Sequence, residues 1–224
     1  MKKVLLMALL ACCVSANAFQ YKDKEKKDSV DSPWNMHFSV GVNVPTNTGD
    51  YSFAPFKSWN LNWTVVAYEY TPKGASQTYS IGAGLSWRNY TLRDKDRQMF
   101  VVGPNKVIIP GQFALGQEDR WSNIHTLSIT MPLLFKQQVC KDFSISVGAE
   151  LNFNVYGRVH NSYEQDDVEV DVKYKGIEYR PFTIDPMAIF DYKDIGFYVK
   201  YSPMSVLKKD YGPDFKCISM GLYF

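Results

Sequence analysis

From Trp34 onward, apolar and polar residues trade places at every second position. Trp34, Met36, Phe38, Val40, Val42 and Val44 share one face, and Asn35, His37, Ser39, Gly41 and Asn43 the other. Trp59, Leu61, Trp63, Val65 and Ala67 alternate with Asn60, Asn62, Thr64, Val66 and Tyr68. A third segment sets Tyr79, Ile81, Ala83, Leu85 and Trp87 against Ser80, Gly82, Gly84, Ser86 and Arg88. The fourth opposes Leu127, Ile129, Met131, Leu133 and Phe135 to Ser128, Thr130, Pro132, Leu134 and Lys136. In the fifth, Phe143, Ile145, Val147, Ala149, Leu151, Phe153 and Val155 face away from Ser144, Ser146, Gly148, Glu150, Asn152, Asn154 and Tyr156. Phe182 to Phe190, Ile195 to Tyr201 and Phe215 to Phe224 complete the set. A period of two over runs of this length predicts strands with one apolar face.

Runs of about 9–11 residues cross a membrane obliquely as strands. A secreted β-sandwich would place Lys, Glu and Thr on its outward faces and keep its links even in length. Here the charges gather in the connections, and the polar faces are small. The long links, Pro45–Ser58, Asn89–Asn123, Gly157–Pro181 and Ser202–Asp214, alternate with the short ones, Thr71–Gln77, Gln137–Asp142 and Asp191–Asp194. The expected fold is all-β: an eight-stranded antiparallel transmembrane up-and-down β-barrel with short periplasmic turns and long extracellular loops. Its outside is expected to face lipid, and its inside to be wet and hydrogen-bonded.

Aromatic placement agrees. Trp34, Tyr79, Phe135, Phe143, Phe190 and Phe224 fall at the periplasmic ends, and Trp59, Trp87 and Trp121 at the outer ends, where amphipathic rings meet the two interfaces. Pro132 and Pro186 sit inside predicted strands and remove a ladder N–H each, so a bulge or a ladder gap is expected at both. Gln98–Ile109 and Val168–Tyr174 also have strand character, with Gly103-Pro104-Asn105 as a turn. They are expected to extend the barrel as hairpins; a ten-stranded barrel is the alternative.

Residues 1–18 read as a secretory signal: Lys2 and Lys3, an apolar core from Val4 to Ala11, and Ala16-Asn17-Ala18 as the cleavage site. The rival reading is lipidation at Cys12. Residues 19–33 form a charged periplasmic lead-in, and 34–224 the barrel. No later window is apolar for the roughly 20 residues a membrane helix needs. Composition is 15% aromatic with a net charge of +2, which gives no argument for nucleic acid. Cys140 and Cys217 are predicted too far apart for a disulfide.

The segment ending Gly221-Leu222-Tyr223-Phe224 resembles the closing strand that barrel-assembly machinery reads as an insertion signal. Ser80-Ile81-Gly82-Ala83-Gly84-Leu85, Ile129-Thr130-Met131-Pro132-Leu133-Leu134-Phe135-Lys136 and Tyr211-Gly212-Pro213-Asp214-Phe215-Lys216 are similar to the eight-stranded outer-membrane barrels common in Bacteroidota. That group includes PorT-like proteins and is related to OmpX- and OmpA-type barrels. The resemblance implies a Gram-negative outer-membrane location and, through the PorT-like members, a link to secretion. Its implied partners are outer-membrane lipid, lipopolysaccharide, the assembly machinery and other outer-membrane or periplasmic proteins.

Arg88, Glu150, Lys136, Asp185 and Lys200 point inward by phase. Eight strands enclose just enough room for side chains, and buried charges must pair. An ion-pair network is therefore expected, with Glu150 linked to Arg88 or Lys200; gated opening of those pairs is the alternative. His37-Phe38-Ser39 is similar to the His-x-Ser pair of lipid A deacylases, but its phase turns both groups inward and its depth is periplasmic. His125 is expected near the outer interface and His160 in a loop, with no carboxylate spaced to orient either. No metal-ligand set and no phosphate-loop or dinucleotide fingerprint is read, and no cofactor is expected. The acidic run from Glu164 to Asp171 reads as a solvated loop, with Ca²⁺ binding as the alternative. The function expected is non-catalytic: surface interaction, or assembly and secretion, through the loops. A narrow solute channel and a lipid-modifying enzyme are the alternatives.

Overall fold

The alternation resolves into eleven strands in a computed structural model that describes residues 34–73, 75–193 and 195–224. The predicted signal segment and lead-in, residues 1–33, and the lipidation alternative at Cys12 lie outside the described residues. The strands are β1 (Trp34–Thr46), β2 (Trp59–Tyr70), β3 (Gln77–Thr91), β4 (Gln98–Val102), β5 (Ile108–Gln112) and β6 (Glu118–Cys140). They continue as β7 (Phe143–Gln165), β8 (Val168–Lys175), β9 (Phe182–Tyr192), β10 (Ile195–Ser202) and β11 (Lys216–Tyr223). Eight of them close a ring, in the order β1, β2, β3, β6, β7, β9, β10 and β11, with β11 returning to β1. Every neighbouring pair is antiparallel. Closure leaves the ring itself without an edge strand, which is how a sheet keeps its backbone polar groups paired in hydrocarbon.

Eight strands rather than ten make the ring because the three further strands, β4, β5 and β8, stand off it. β4 pairs with β5 as a separate hairpin, and β8 pairs only with the upper part of β7. The β7–β8 turn has Asp166 and Asp167 both at positive φ, 53° and 60°. Two such central residues give the twist that suits a two-residue hairpin, and Asp tolerates that conformation. The acidic run is thus largely strand and turn. β3 and β6 also run further than predicted, to Thr91 and from Glu118, so much of the predicted long loop is wall.

The outer surface carries an exposed apolar band. Trp63, Ile81, Ile129, Val147, Phe153, Ile184, Phe197 and Leu222 are each more than a third exposed. Water-soluble proteins rarely leave contiguous apolar surface on this scale uncovered. The prolines interrupt the ladder as gaps. Between Ile81↔Leu133 and Gly84↔Thr130 the β3–β6 register skips the level of Pro132. On β9, pairing with β10 stops at Met187, just short of Pro186.

Two bulges overturn part of the predicted phase. On β2, Val65 is an extra residue against both β1 and β3, and a one-residue insertion flips every following side chain. Ala67 is therefore buried rather than lipid-facing, while Val66 and Tyr68 turn out rather than in. The same happens on β7, where Leu127↔Tyr156 is followed by Ser128↔Asn154. Tyr156 consequently leaves the interior, and Gly157, Val159 and Asn161 enter it.

Candidate functional site

The interior is filled in two storeys. Near mid-height, β3 contributes Arg88, β7 Glu150 and Asn152, β9 Asp185 and β10 Lys200. All four charges are at most 4% exposed. Arg88 Nη2 reaches Asp185 Oδ2 at 2.7 Å, Asn152 Oδ1 at 2.7 Å and Glu150 Oε1 at 3.3 Å. Lys200 Nζ donates to the same Glu150 oxygen at 2.8 Å, and Asn152 Nδ2 donates to Asp185 Oδ2 at 2.9 Å. Two cations face two anions, so the layer is neutral, as a low-dielectric interior requires. Glu150 binds both predicted partners. Lys136, also expected inside, sits at the short-turn mouth, 3.5 Å from Asp191 and partly exposed.

A second polar chain crosses the lumen beside this layer, and the strand pattern did not single it out. Tyr198 Oη donates to Asn60 Oδ1 at 2.5 Å, Asn60 Nδ2 to Asn43 Oδ1 at 2.8 Å, and Ser219 Oγ to the same oxygen at 2.7 Å. Gly41 makes the crossing feasible, because a Cβ there would strike the Tyr198 hydroxyl and the Met220 carbonyl. Below the ions, the gap lined by His37, Ser39, Asn62, Lys200 and Tyr223 has a volume of about 10 Å³. That is the room one water needs.

The upper storey is built mainly of apolar side chains, in contrast to a uniformly polar interior. Tyr90, Ile124, Val159 and Cys217 project inward from strands and meet Tyr51, Phe53, Phe100, Ile108, Ile177, Leu207 and Phe215. These last residues come from all four long connections. Phe215 lies 4.9 Å from Phe53 and 5.0 Å from Tyr90 between ring centroids, and Tyr51 stacks on Phe100 at 5.5 Å. Backbone bonds tie the loops to each other, from Ile108 to Tyr211 at 2.9 Å and from Arg180 to Val206 at 2.8 Å. The cap closes the long-loop end because each loop carries apolar residues that the other loops and the inward-facing strand residues cover together.

At the opposite mouth, His37 Nε2 is 2.9 Å from Glu69 Oε1, Asn35 donates to Glu69 Oε2 at 2.8 Å, and His37 stacks on Tyr223. Glu69 reaches the lumen only because of the Val65 bulge; the doubled Val65-Val66 was the available signal. Ser39 accepts from Asn62 Nδ2 at 3.1 Å. In the segment Gly221-Leu222-Tyr223-Phe224, Leu222 faces out, and Phe224 exchanges both backbone bonds with Phe38, at 2.8 and 2.9 Å.

His160 is on β7 rather than in a loop, and it does have a carboxylate: Asp171 Oδ1 lies 2.8 Å from its Nε2. Hydrogen bonds from His160 and Lys173 hold the Asp171 carboxyl at a pKa of about 2. Glu178, bonded to Lys208 at 2.6 Å, is also held below the usual carboxylate range. Among the described residues, no three His, Cys, Asp or Glu side chains are arranged to hold a metal ion. Cys140 is exposed at the β6–β7 turn and Cys217 is buried below the cap.

No family model matches the chain, and no curated protein sequence matches it. Among solved structures, the chain is similar to Ail, the attachment invasion locus protein of Yersinia pestis. The identity is 10% over 85% of this chain and 97% of that one, with a TM-score of 0.36. The fold assignment rests on the strand ladder and not on that likeness.

Proposed function

We propose that this protein is a non-catalytic barrel of the Gram-negative outer membrane that works through its long-loop end, as a surface-interaction or assembly and secretion partner. The observation that carries the reading is the filled interior. A buried ion layer lies under an apolar cap built from every long loop, so the lumen offers no continuous water path. What is left to differ functionally is the structured surface above the membrane: the β4–β5 hairpin and the extended sheet of β6, β7 and β8. Binding residues concentrate on such connections over a rigid scaffold. The sequence resemblance to PorT-like barrels of Bacteroidota is what brings secretion into the proposal. Lipid and lipopolysaccharide around the wall, and assembly machinery during insertion, are the partners it carries.

Planar-bilayer recording tests it. The wild-type barrel should show no steady single-channel current, and a steady current would replace this reading with the solute channel. Replacing Gln98–Gln112 by a short Gly-Ser link should then abolish cross-links to envelope partners in intact cells. The lipid-modifying alternative fares poorly because His37 is held by Glu69 and Ser39 by Asn62, both within the lumen. Cells carrying His37→Ala and Ser39→Ala together should keep their lipid A acylation unchanged.

A further inference from the structure

Where β6, β7 and β8 rise past the apolar band, their outward faces carry basic side chains in register. His125 pairs with Arg158, and Arg158 with Lys175. Residues paired across a ladder share a face, so the three form one row. The row above it is Asn123, His160 and Lys173. The basic side chains of both rows point outward, because the alternating residues Ile124, Thr126, Val159 and Asn161 are buried inside, while Asn123 on the same face is itself buried. One step below lies the pair Leu127↔Tyr156, with Trp87 beside Leu127. That apolar rim is about 7 Å below the cationic row, at ~3.3 Å of rise per residue.

Acidic compensation in the two rows is incomplete. Asp171, one level higher, takes up His160 and Lys173 at 2.8 and 2.9 Å. Arg158 and Lys175 have no ion pair among the described residues, and Arg158 Nε is buried with no hydrogen-bond partner. An unpaired donor covered from water is costly unless an acceptor arrives. Nearby, Lys57 Nζ stands 5.5 Å over the Trp121 ring, and its neighbour Phe56 is 93% exposed. Their turn is tied to β3 by the Asn89 Nδ2 bond to the Lys57 carbonyl, 3.1 Å. Across the barrel, the corresponding upper end of the β1–β11 pair offers the single cation Lys216, opposite Thr46.

We propose that this face docks the phosphate-bearing headgroup of an anionic lipid in the surrounding leaflet. Arg158 and Lys175 take the phosphate, and the exposed Phe56 adds an apolar contact. The inference rests on the membrane-spanning reading above. Guanidinium presents a fork that matches phosphate oxygens, and ammonium adds a point charge. Placed at the edge of the apolar band, both groups meet the headgroup level, where their attraction weakens as bulk salt rises.

The test uses the full chain refolded into phosphatidylcholine nanodiscs containing a minor fraction of phosphatidylglycerol. Lipids retained on the barrel are counted by native mass spectrometry. The wild type should retain phosphatidylglycerol selectively, and Arg158→Gln combined with Lys175→Gln should lower that retention on the order of tenfold. Lys216→Gln, on the far side, should leave it unchanged. Heat-dependent gel mobility reports barrel insertion for each sample, so a lost barrel is distinguishable from lost docking. Equal retention by the double variant, equal retention of phosphatidylcholine, or displacement by equimolar inorganic phosphate overturns the proposal. Should the double variant fail to insert, Lys175→Gln alone and a salt titration of the wild type decide. If neither lowers selective retention, the proposal falls.

Discussion

Arg88 and Tyr90 stand two residues apart on β3 and point into the same lumen, yet they belong to different chemistries. Arg88 is clasped by Asp185, Glu150 and Asn152, all from strands of the wall. Tyr90 is wholly buried against Phe215, which arrives from the β10–β11 connection. The ion layer therefore joins strand to strand across the ring, whereas the cap joins loops to the ring. Few, mutually dependent groups make the first; many interchangeable apolar contacts make the second. Damage to the two should look different both in size and in place.

The largest effect is expected from Arg88→Met. It leaves Asp185 without a cation and Glu150 with Lys200 alone, and breaking a buried ion set in this way costs about 3–5 kcal/mol. Urea unfolding in lipid vesicles, followed by tryptophan fluorescence, measures it. Replacing all four charges together (Arg88→Met, Glu150→Gln, Asp185→Asn, Lys200→Met) should recover most of that loss, since no uncompensated charge is left. A fourfold variant weaker than the single one would mean that the layer does not act as a coupled unit.

Phe215→Ala comes next, at about 3 kcal/mol for a large ring removed from a packed cluster. Its signature is location. Limited proteolysis should open the long connections while the ladder of β1, β2 and β3 stays protected. Adding Phe53→Ala, whose ring is 4.9 Å from Phe215, should cost less than the sum of the two changes, because both enlarge one cavity. Uniform loosening of wall and loops would erase the distinction between the storeys.

The wall was legible in the sequence because its period of two is imposed from both sides, by lipid without and polar side chains within. Arg88, Glu150, Asp185 and Lys200 could be placed inside by counting alone. Counting failed after Val65 and again after Val155, where one inserted residue exchanges the faces. That is why Glu69, which ends up facing His37, and the outward turn of Tyr156 escaped it. The cap was illegible for another reason. Tyr51, Phe53, Phe100, Leu207 and Phe215 are scattered through connections with no period, and only the closed ring brings them over one opening.

A smaller effect tests whether charge has the same weight outside the lumen. Asp171 bridges His160 and Lys173 as the ion layer bridges its strands, but it is 42% exposed. Solvent and salt screen such pairs, so their worth is about 0.2–1 kcal/mol. Its carboxyl is held near a pKa of about 2, against an ordinary value of 3.8. The depressed folded value means that its contribution is complete above about 3.8 and is lost as pH falls towards 2. Amide exchange along β8 should therefore quicken over that range relative to β9, and Asp171→Asn should show the faster rate already at neutral pH. Raising the salt concentration should shrink the difference between wild type and variant here, while leaving the penalty of Arg88→Met nearly unchanged, because water reaches Asp171 and does not reach Asp185. Equal salt sensitivity at the two sites would mean that water enters the ion layer, and the sealed lumen would have to be given up.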